Sequence, residues 1–215
     1  MKKIMMIAAM MVATLTANAQ KSIIEPGSFG LQPKVGVNFS TVSADDTKFK
    51  FGLVAGIEGQ YQINDWFGLS AGVLYTQEGS KFKKLNDTKL NLEYVNIPVM
   101  AKFYVAKGLS LNVGLQPGFL TKSKAKFEGN ASTTIAGVKF SGESDFKDQT
   151  NKFDLSVPMS IAYELNNGLT FEARYTSGLT NVLKDAFDSD SSTYDKTYNN
   201  KNEVFMLTVG YKFGF

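Results

Sequence analysis

The sequence predicts an all-β protein, an eight-stranded antiparallel up-and-down transmembrane β-barrel. Three observations predict it. Eight stretches, most about ten residues or longer, alternate apolar and polar residues with the period of two that a strand imposes. Aromatic residues gather at both ends of those stretches, with Val, Ala, Leu and Ile between them. The connectors alternate short and long. The odd-numbered residues are apolar, aromatic or small, with polar exceptions such as Gln77 and Ser177 near segment ends, and the even positions hold the Gly, Ser, Asn, Glu and Lys. The apolar face is too long, too continuous and too aromatic at its two rims for the inside of a soluble barrel, and it reads as a lipid-facing surface.

The elements follow in order. The first strand is expected at 31–40, with Leu31, Val35, Val37 and Phe39 outward and Gln32, Lys34, Asn38 and Ser40 inward. The second, 51–63, turns out Phe51, Leu53, Ala55, Ile57, Tyr61 and Ile63, and the third, 67–78, turns out Phe67, Leu69, Ala71, Val73 and Tyr75. The fourth, 92–105, presents Val95 through Val105 at alternate positions, and the fifth, 109–121, presents Leu109, Leu111, Val113, Leu115 and Phe119. The sixth, 153–165, the seventh, 169–180, and the eighth, 203–215, repeat the pattern from Phe153 to Phe215. Phe39, Phe51, Tyr75, Phe119, Phe153 and Phe205 fall at the long-loop end, and Tyr61, Phe67, Phe103, Tyr163, Phe171, Phe213 and Phe215 at the short-turn end. Two aromatic girdles around an aliphatic band result. Hydrocarbon offers no hydrogen-bond partner, so the strand edges must close on one another.

Three connectors are tight: Asn64-Asp65-Trp66, Ala106-Lys107-Gly108 and Asn166-Asn167-Gly168. Gly108 and Gly168 fall third, where a three-residue hairpin wants positive φ, and Trp66 at the same place does not fit. The long connectors, 41–50, 79–91, 122–152 and 181–202, lie at the other end, so both termini are expected on the periplasmic, short-turn side. Weak alternation over 132–141 suggests a hairpin within the third long connector.

Residues 1–19 have the form of a signal peptide: a basic start at Lys2 and Lys3, an apolar stretch from Ile4 to Leu15, and Ala17-Asn18-Ala19 as an A-x-A cleavage site. The expected organisation is therefore a signal peptide at 1–19, a periplasmic N-terminal segment at 20–29 and the barrel at 30–215. The whole chain carries a net charge of +3, which falls to +1 when Lys2 and Lys3 leave. That gives no electrostatic case for nucleic-acid binding. Cys and His are both absent, which excludes disulfides, Ser-His-Asp and Cys-His catalysis and His-ligated zinc.

The inward charges are Lys34, Lys102, Arg174 and Lys212 against Glu58, Glu78, Asp154, Glu164 and Glu172. Eight strands enclose a space that side chains just fill, so a packed, salt-bridged core is expected; a narrow ion path is the alternative. By the same pattern Val99→Arg is expected to destabilise and Ser110→Lys to be mild. Glu164 and Glu172 flank one tight turn and read as charge-balancing rather than acid–base groups. The acidic run Asp188-Ser189-Asp190 to Asp195 lacks the Gly and the terminal acid of a calcium loop and reads as a solvated loop. Lys81, Lys83 and Lys84 read as an ordinary charged loop, with lipopolysaccharide phosphates as the alternative contact. No catalytic, cofactor-binding or metal-ligating residue is assigned.

Several segments carry a family resemblance: Ala17-Asn18-Ala19-Gln20; Asn96-Ile97-Pro98-Val99; Phe171-Glu172-Ala173-Arg174-Tyr175 continuing to Gly178-Leu179-Thr180-Asn181; and Val209-Gly210-Tyr211-Lys212-Phe213-Gly214-Phe215. With these in order, the mature chain resembles the small outer-membrane β-barrel domain proteins of Gram-negative bacteria, the PorT-like, porin-family group, and is similar to OmpA-like and OmpX-like barrels. Family members often carry Glu where this chain has Asn96. The resemblance implies residence in the cell outer membrane, and recognition of the Phe215 end by the barrel assembly machinery. "Porin" in such names implies location and fold more than transport.

The expected function is a non-enzymatic outer-membrane barrel with a structural, adhesive or partner-binding role through its long loops. Its partners would be outer-membrane lipid and lipopolysaccharide and an extracellular ligand, with no cofactor and no nucleic acid. A narrow pore for small solutes is the alternative. A lipid-modifying enzyme and a soluble lipocalin-like carrier are further readings.

Overall fold

The computed structural model describes residues 24–42, 47–82, 88–126, 133–135, 138–140, 143–145, 147, 150–182 and 201–215. Its strands are β1 Phe29–Val42, β2 Thr47–Asn64, β3 Phe67–Phe82, β4 Thr88–Asn96, β5 Val99–Ala106, β6 Leu109–Lys126, β7 Thr133–Ile135, β8 Val138–Phe140, β9 Glu143–Asp145, β10 Phe153–Glu164, β11 Leu169–Asn181, β12 Lys201–Tyr211 and β13 Phe213–Gly214. Every pairing among them is antiparallel; β3 and β6 flank both β4 and β5, β6 pairs onward with β10, and β1 meets β12 and β13 to close the sheet. β4 and β5 form one stave and β12 and β13 another, while β9 is a short addition beside β6, so the cylinder has eight staves. The signal-peptide residues and the acidic run from Asp188 lie outside the described residues.

The expected faces are the observed ones. Along β10 and β12 the side chains alternate strictly between buried and accessible. The accessible set is the apolar one: Val35, Leu53, Ile57, Val99, Leu115, Ile161 and Leu207 all lie on the outer wall. Register then assembles the girdles. Phe39 stands opposite both Phe51 and Phe205, and Phe205 opposite Tyr175, so four adjacent strands share one aromatic row. At the other rim Phe67 pairs with Phe103 and Tyr163 with Phe171. Phe29, at the start of β1, extends that lower rim by pairing with Tyr61.

Local chemistry explains the turns. Gly108 and Gly168 have φ of 72° and 92°, as the three-residue hairpins require. The Asn64-Asp65-Trp66 turn manages without glycine. The Asn64 side-chain oxygen accepts from the amides of Trp66 at 3.1 Å and Phe67 at 2.8 Å, a side-chain substitute for the missing turn bonds. Trp66 is freed to stack on Phe103, with ring centroids 6.3 Å apart. In the third long connector β7 pairs with β8 as a separate two-stranded sheet, the hairpin expected there.

Three departures from the expected strands stand out. The staves run further toward the long-loop end, to Phe82 in β3 and Lys126 in β6. The fourth stave breaks at Ile97 and Pro98. Proline has no N–H for the ladder, and the carbonyl of Pro98 instead accepts from Gly72 at 3.1 Å while the Ile97 amide donates to the Pro117 carbonyl at 2.8 Å. The chain before β1 is packed rather than free: Ile24 is 4% exposed, and its side chain lies against the inner faces of Gly30 and Gly214, under the floor of the barrel.

Gly36 marks a place where the wall bends too sharply for any side chain. A Cβ there would lie 2.0 Å from the Leu207 carbonyl oxygen and 2.7 Å from the Thr208 Cα, and backbone cannot withdraw as a flexible side chain can. Gly36→Ala is expected to cost about 1–3 kcal/mol, read as a lower urea midpoint for the barrel in lipid vesicles. An unchanged midpoint would show that β1 and β12 can separate without loss.

Candidate functional site in the barrel interior

The even positions meet on the axis and sort into layers. In the half nearer the short turns, Lys34 and Arg174 grip the same two carboxylates. Lys34 Nζ donates to Glu58 Oε2 at 2.8 Å and to Glu172 Oε2 at 2.7 Å. Arg174 Nη2 donates to Glu58 Oε1 at 2.6 Å, and its Nε donates to Glu172 Oε1 at 3.0 Å. All four are buried. The cluster joins β1, β2 and β11, which are not all sequence neighbours, so it ties the lumen together as well as lining it.

A second group lies beside it. Lys212 Nζ donates to Glu164 Oε1, to Gln60 Oε1 at 2.7 Å and to the Tyr104 hydroxyl at 3.3 Å. Tyr104 donates onward to Glu164 Oε1 at 2.7 Å, and Gln60 Nε2 donates to Tyr104 and to Gln62 Oε1. Lys102, two residues before Tyr104 on β5, is buried opposite Asn112. Every ion in this half is desolvated, and such ions are stable only when paired and hydrogen-bonded.

Going toward the long loops, an apolar layer follows, made by Val54, Leu74, Val204 and Met206. A polar layer comes next. Asn96 Nδ2 donates to Thr76 Oγ1 at 2.9 Å and to Glu78 Oε1 at 3.2 Å, while Thr180 donates to Asp154 at 2.9 Å. An acid at position 96 would face Glu78 with like charge, so the amide in this chain supplies the donor that Glu78 needs. Last comes an apolar stopper of Val42, Leu90, Leu92, Tyr94, Leu120 and Val182.

The sequence-predicted interior residues are thus brought together, with one redistribution. Lys34, Glu58, Glu164, Glu172, Arg174 and Lys212 join in ion pairs, whereas Glu78 and Asp154 sit in the separate upper layer, bonded to neutral donors. The two apolar layers were missed, although their residues are legible as apolar at even positions. Tyr104 and Gln60, which complete the Lys212–Glu164 group, were missed as well. Glu164 and Glu172 balance cations, as expected, and neither faces an open cleft. Lys81 lies in β3 rather than in a loop, and Lys83 and Lys84 lie outside the described residues. Among the described residues no group of three or more His, Cys, Asp or Glu is placed to hold a metal ion.

Comparison with known proteins agrees with this geometry. A family model described as an outer membrane protein beta-barrel domain matches residues 18–184. Among solved structures, Ail, the attachment invasion locus protein of Yersinia pestis, superposes with a TM-score of 0.51 at 17% identity, covering 87% of this chain and 99% of that one. Neisserial surface protein A gives 0.49 at 17% identity over 86% and 97% of the two chains, and OprG of Pseudomonas aeruginosa 0.40 at 13% over 89% and 98%. At such identity the likeness to Ail is one of fold. No curated protein matches in sequence.

Proposed function

Because the chain belongs to the outer membrane protein β-barrel domain family, we propose that it is a non-enzymatic scaffold with a closed interior, which presents its long loops for binding or adhesion. Its place is the outer membrane. The observation that carries the proposal is the layered lumen. Two ionic groups and two apolar layers occupy the axis, and the apolar stopper includes Leu92 and Tyr94 at 0% and 1% exposure. A hydrated ion crossing it would have to displace both apolar layers and break the Lys34–Glu58–Arg174–Glu172 cluster.

Residues 1–19 then serve as a leader removed after Ala19, and the Phe213-Gly214-Phe215 end serves as the segment read by the barrel assembly machinery. Lipid and lipopolysaccharide surround the wall, and the extracellular ligand meets the loops above it. The interior carboxylates are engaged in ion pairs and hydrogen bonds, which leaves them committed to charge balance rather than to acid–base work.

The test is conductance in a planar lipid bilayer. The purified barrel is expected to give no steady unitary openings. Reproducible openings of fixed size would replace the scaffold by a narrow pore for small solutes.

A further inference from the structure

The half of the lumen nearer the short turns does not balance its charge. Lys34, Lys102, Arg174 and Lys212 are buried there against Glu58, Glu164 and Glu172, four cations to three carboxylates. Glu78 and Asp154 lie apart, in the upper polar layer. Lys34 and Arg174 share Glu58 and Glu172, and Lys212 takes Glu164. Lys102 is left over. It is 3% exposed, and among the described residues it has neither a hydrogen bond nor an ion pair. It stands close enough to Glu58, Glu164, Glu172 and Lys212 for their charges to be felt, but each of those carboxylates is already held by another cation. A buried ammonium without a partner carries the full cost of its desolvation.

The residues around Lys102 are small or polar. In register beside it stand Gly68 on β3 and Asn112 on β6. The next inward positions on those strands are Ser70, Ser110 and Gly114. Beyond Asn112 the same level continues through Ser160 on β10 to Arg174 on β11. A row of four adjacent staves is therefore polar throughout and carries a cation at each end. Arg174 Nη1 and Ser110 Oγ are buried along this wall without hydrogen-bond partners. Asn112 Nδ2 donates to Ser160 Oγ at 2.9 Å, which leaves the Ser160 hydrogen to be given. The acceptors without partners are Asn112 Oδ1 and Glu164 Oε2, the latter on a carboxylate already bound to Lys212 through Oε1. Buried polar atoms are nearly always satisfied, so orphans gathered around one unpaired charge call for an ion or water. Water would satisfy the orphans and leave the charge. The excess of one positive charge sets the guest at one negative charge, and the Gly and Ser lining suits a single small ion.

We propose that the lower lumen binds one small monovalent anion of chloride size against Lys102, with Arg174 Nη1 and the Ser110 and Ser160 hydroxyls as its further donors. The anion restores neutrality where bulk water is excluded. It enters as the staves come together during folding. The site goes beyond the scaffold reading, from which it takes only that exclusion of water.

The experiment measures urea unfolding of the barrel in phosphatidylcholine vesicles, with sodium chloride replaced stepwise by sodium gluconate at constant ionic strength. Beyond half-saturation the wild type is expected to gain about tenfold in its folding constant for each tenfold rise in chloride, as for any ligand of the folded state alone. Lys102→Met is expected to fold at least as well as the wild type without chloride and to show no chloride dependence. Lys122→Met, on the exposed outer wall, should keep the wild-type dependence. A shift in gel mobility on heating checks that each variant has folded. Wild-type crystals grown in sodium bromide should show an anomalous peak against Lys102 Nζ, a result that needs no variant. Wild-type stability indifferent to chloride would overturn the site. So would a dependence that survives in Lys102→Met, or bromide crystals without a peak at Lys102. Bilayer conductance reads closure separately: unitary openings in the wild type refute the scaffold, while a bromide peak at Lys102 keeps the anion site.

Discussion

Glu58→Gln is expected to lower the folding free energy by about 3–5 kcal/mol, the usual cost of removing one partner from a buried ion cluster. Gln fits the space of Glu, so the loss comes from charge. Lys34 and Arg174 would keep only Glu172 between them, at 2.7 Å and 2.9 Å. Neither cation can reach water, for both are about 2% exposed. Urea unfolding of the barrel in lipid vesicles measures the effect. Adding Lys34→Met to the same chain should recover most of the loss, because it restores the balance of charge. A Glu58→Gln barrel as stable as wild type would mean that the cluster is solvated and that the lumen is not closed at this level.

Val99→Arg is expected to cost about 2–4 kcal/mol, the cost of a cation on the lipid face near mid-membrane. Val99 is 52% exposed on the outer wall. It lies four residues from Phe103 of the lower girdle and four from Val95, which pairs with Tyr75 and Phe119 of the upper one. Refolding yield and urea midpoint in vesicles read the effect, and Val99→Leu serves as the neutral control. No loss would place Val99 off the bilayer and overturn the outer face. Ser110→Lys, mild by pattern alone, should be severe instead. Ser110 has 0% exposure and stands opposite Tyr104 and Ala162, beside the Lys212 group. A new ammonium there is both too large and the wrong sign.

That reversal shows where sequence stops being informative. The wall was legible because two boundary conditions act on alternate residues: lipid rejects every charge, and the lumen accepts most. The girdles and the glycines of two turns follow from equally local rules. The lumen follows no such rule. Lys34 finds Glu172 138 positions away, on a stave that is not its neighbour, because the strands are tilted and the staves staggered. Val204 and Met206 turn inward although apolar, so alternation in polarity fails where alternation in direction holds. Pro98 did carry a readable signal, since a proline within a strand pattern argues for interrupted pairing. The extensions above the upper girdle were hidden because there the apolar residues, such as Leu90 and Leu92, turn inward, so the polarity pattern that marks the membrane-spanning wall no longer applies.

The seam between β1 and β12 has a consequence in time. The pairs that complete the cylinder, Asn38 with Met206 and Phe39 with Phe205, join residues about as far apart along the chain as the barrel permits. Until the last stave arrives, every earlier one belongs to an open ribbon with greasy side chains and a bare hydrogen-bonding margin. Such long-range closure is slow and prone to clumping. That margin is covered only when β12 reaches β1, so the last pairing to form is also the one that protects all the others.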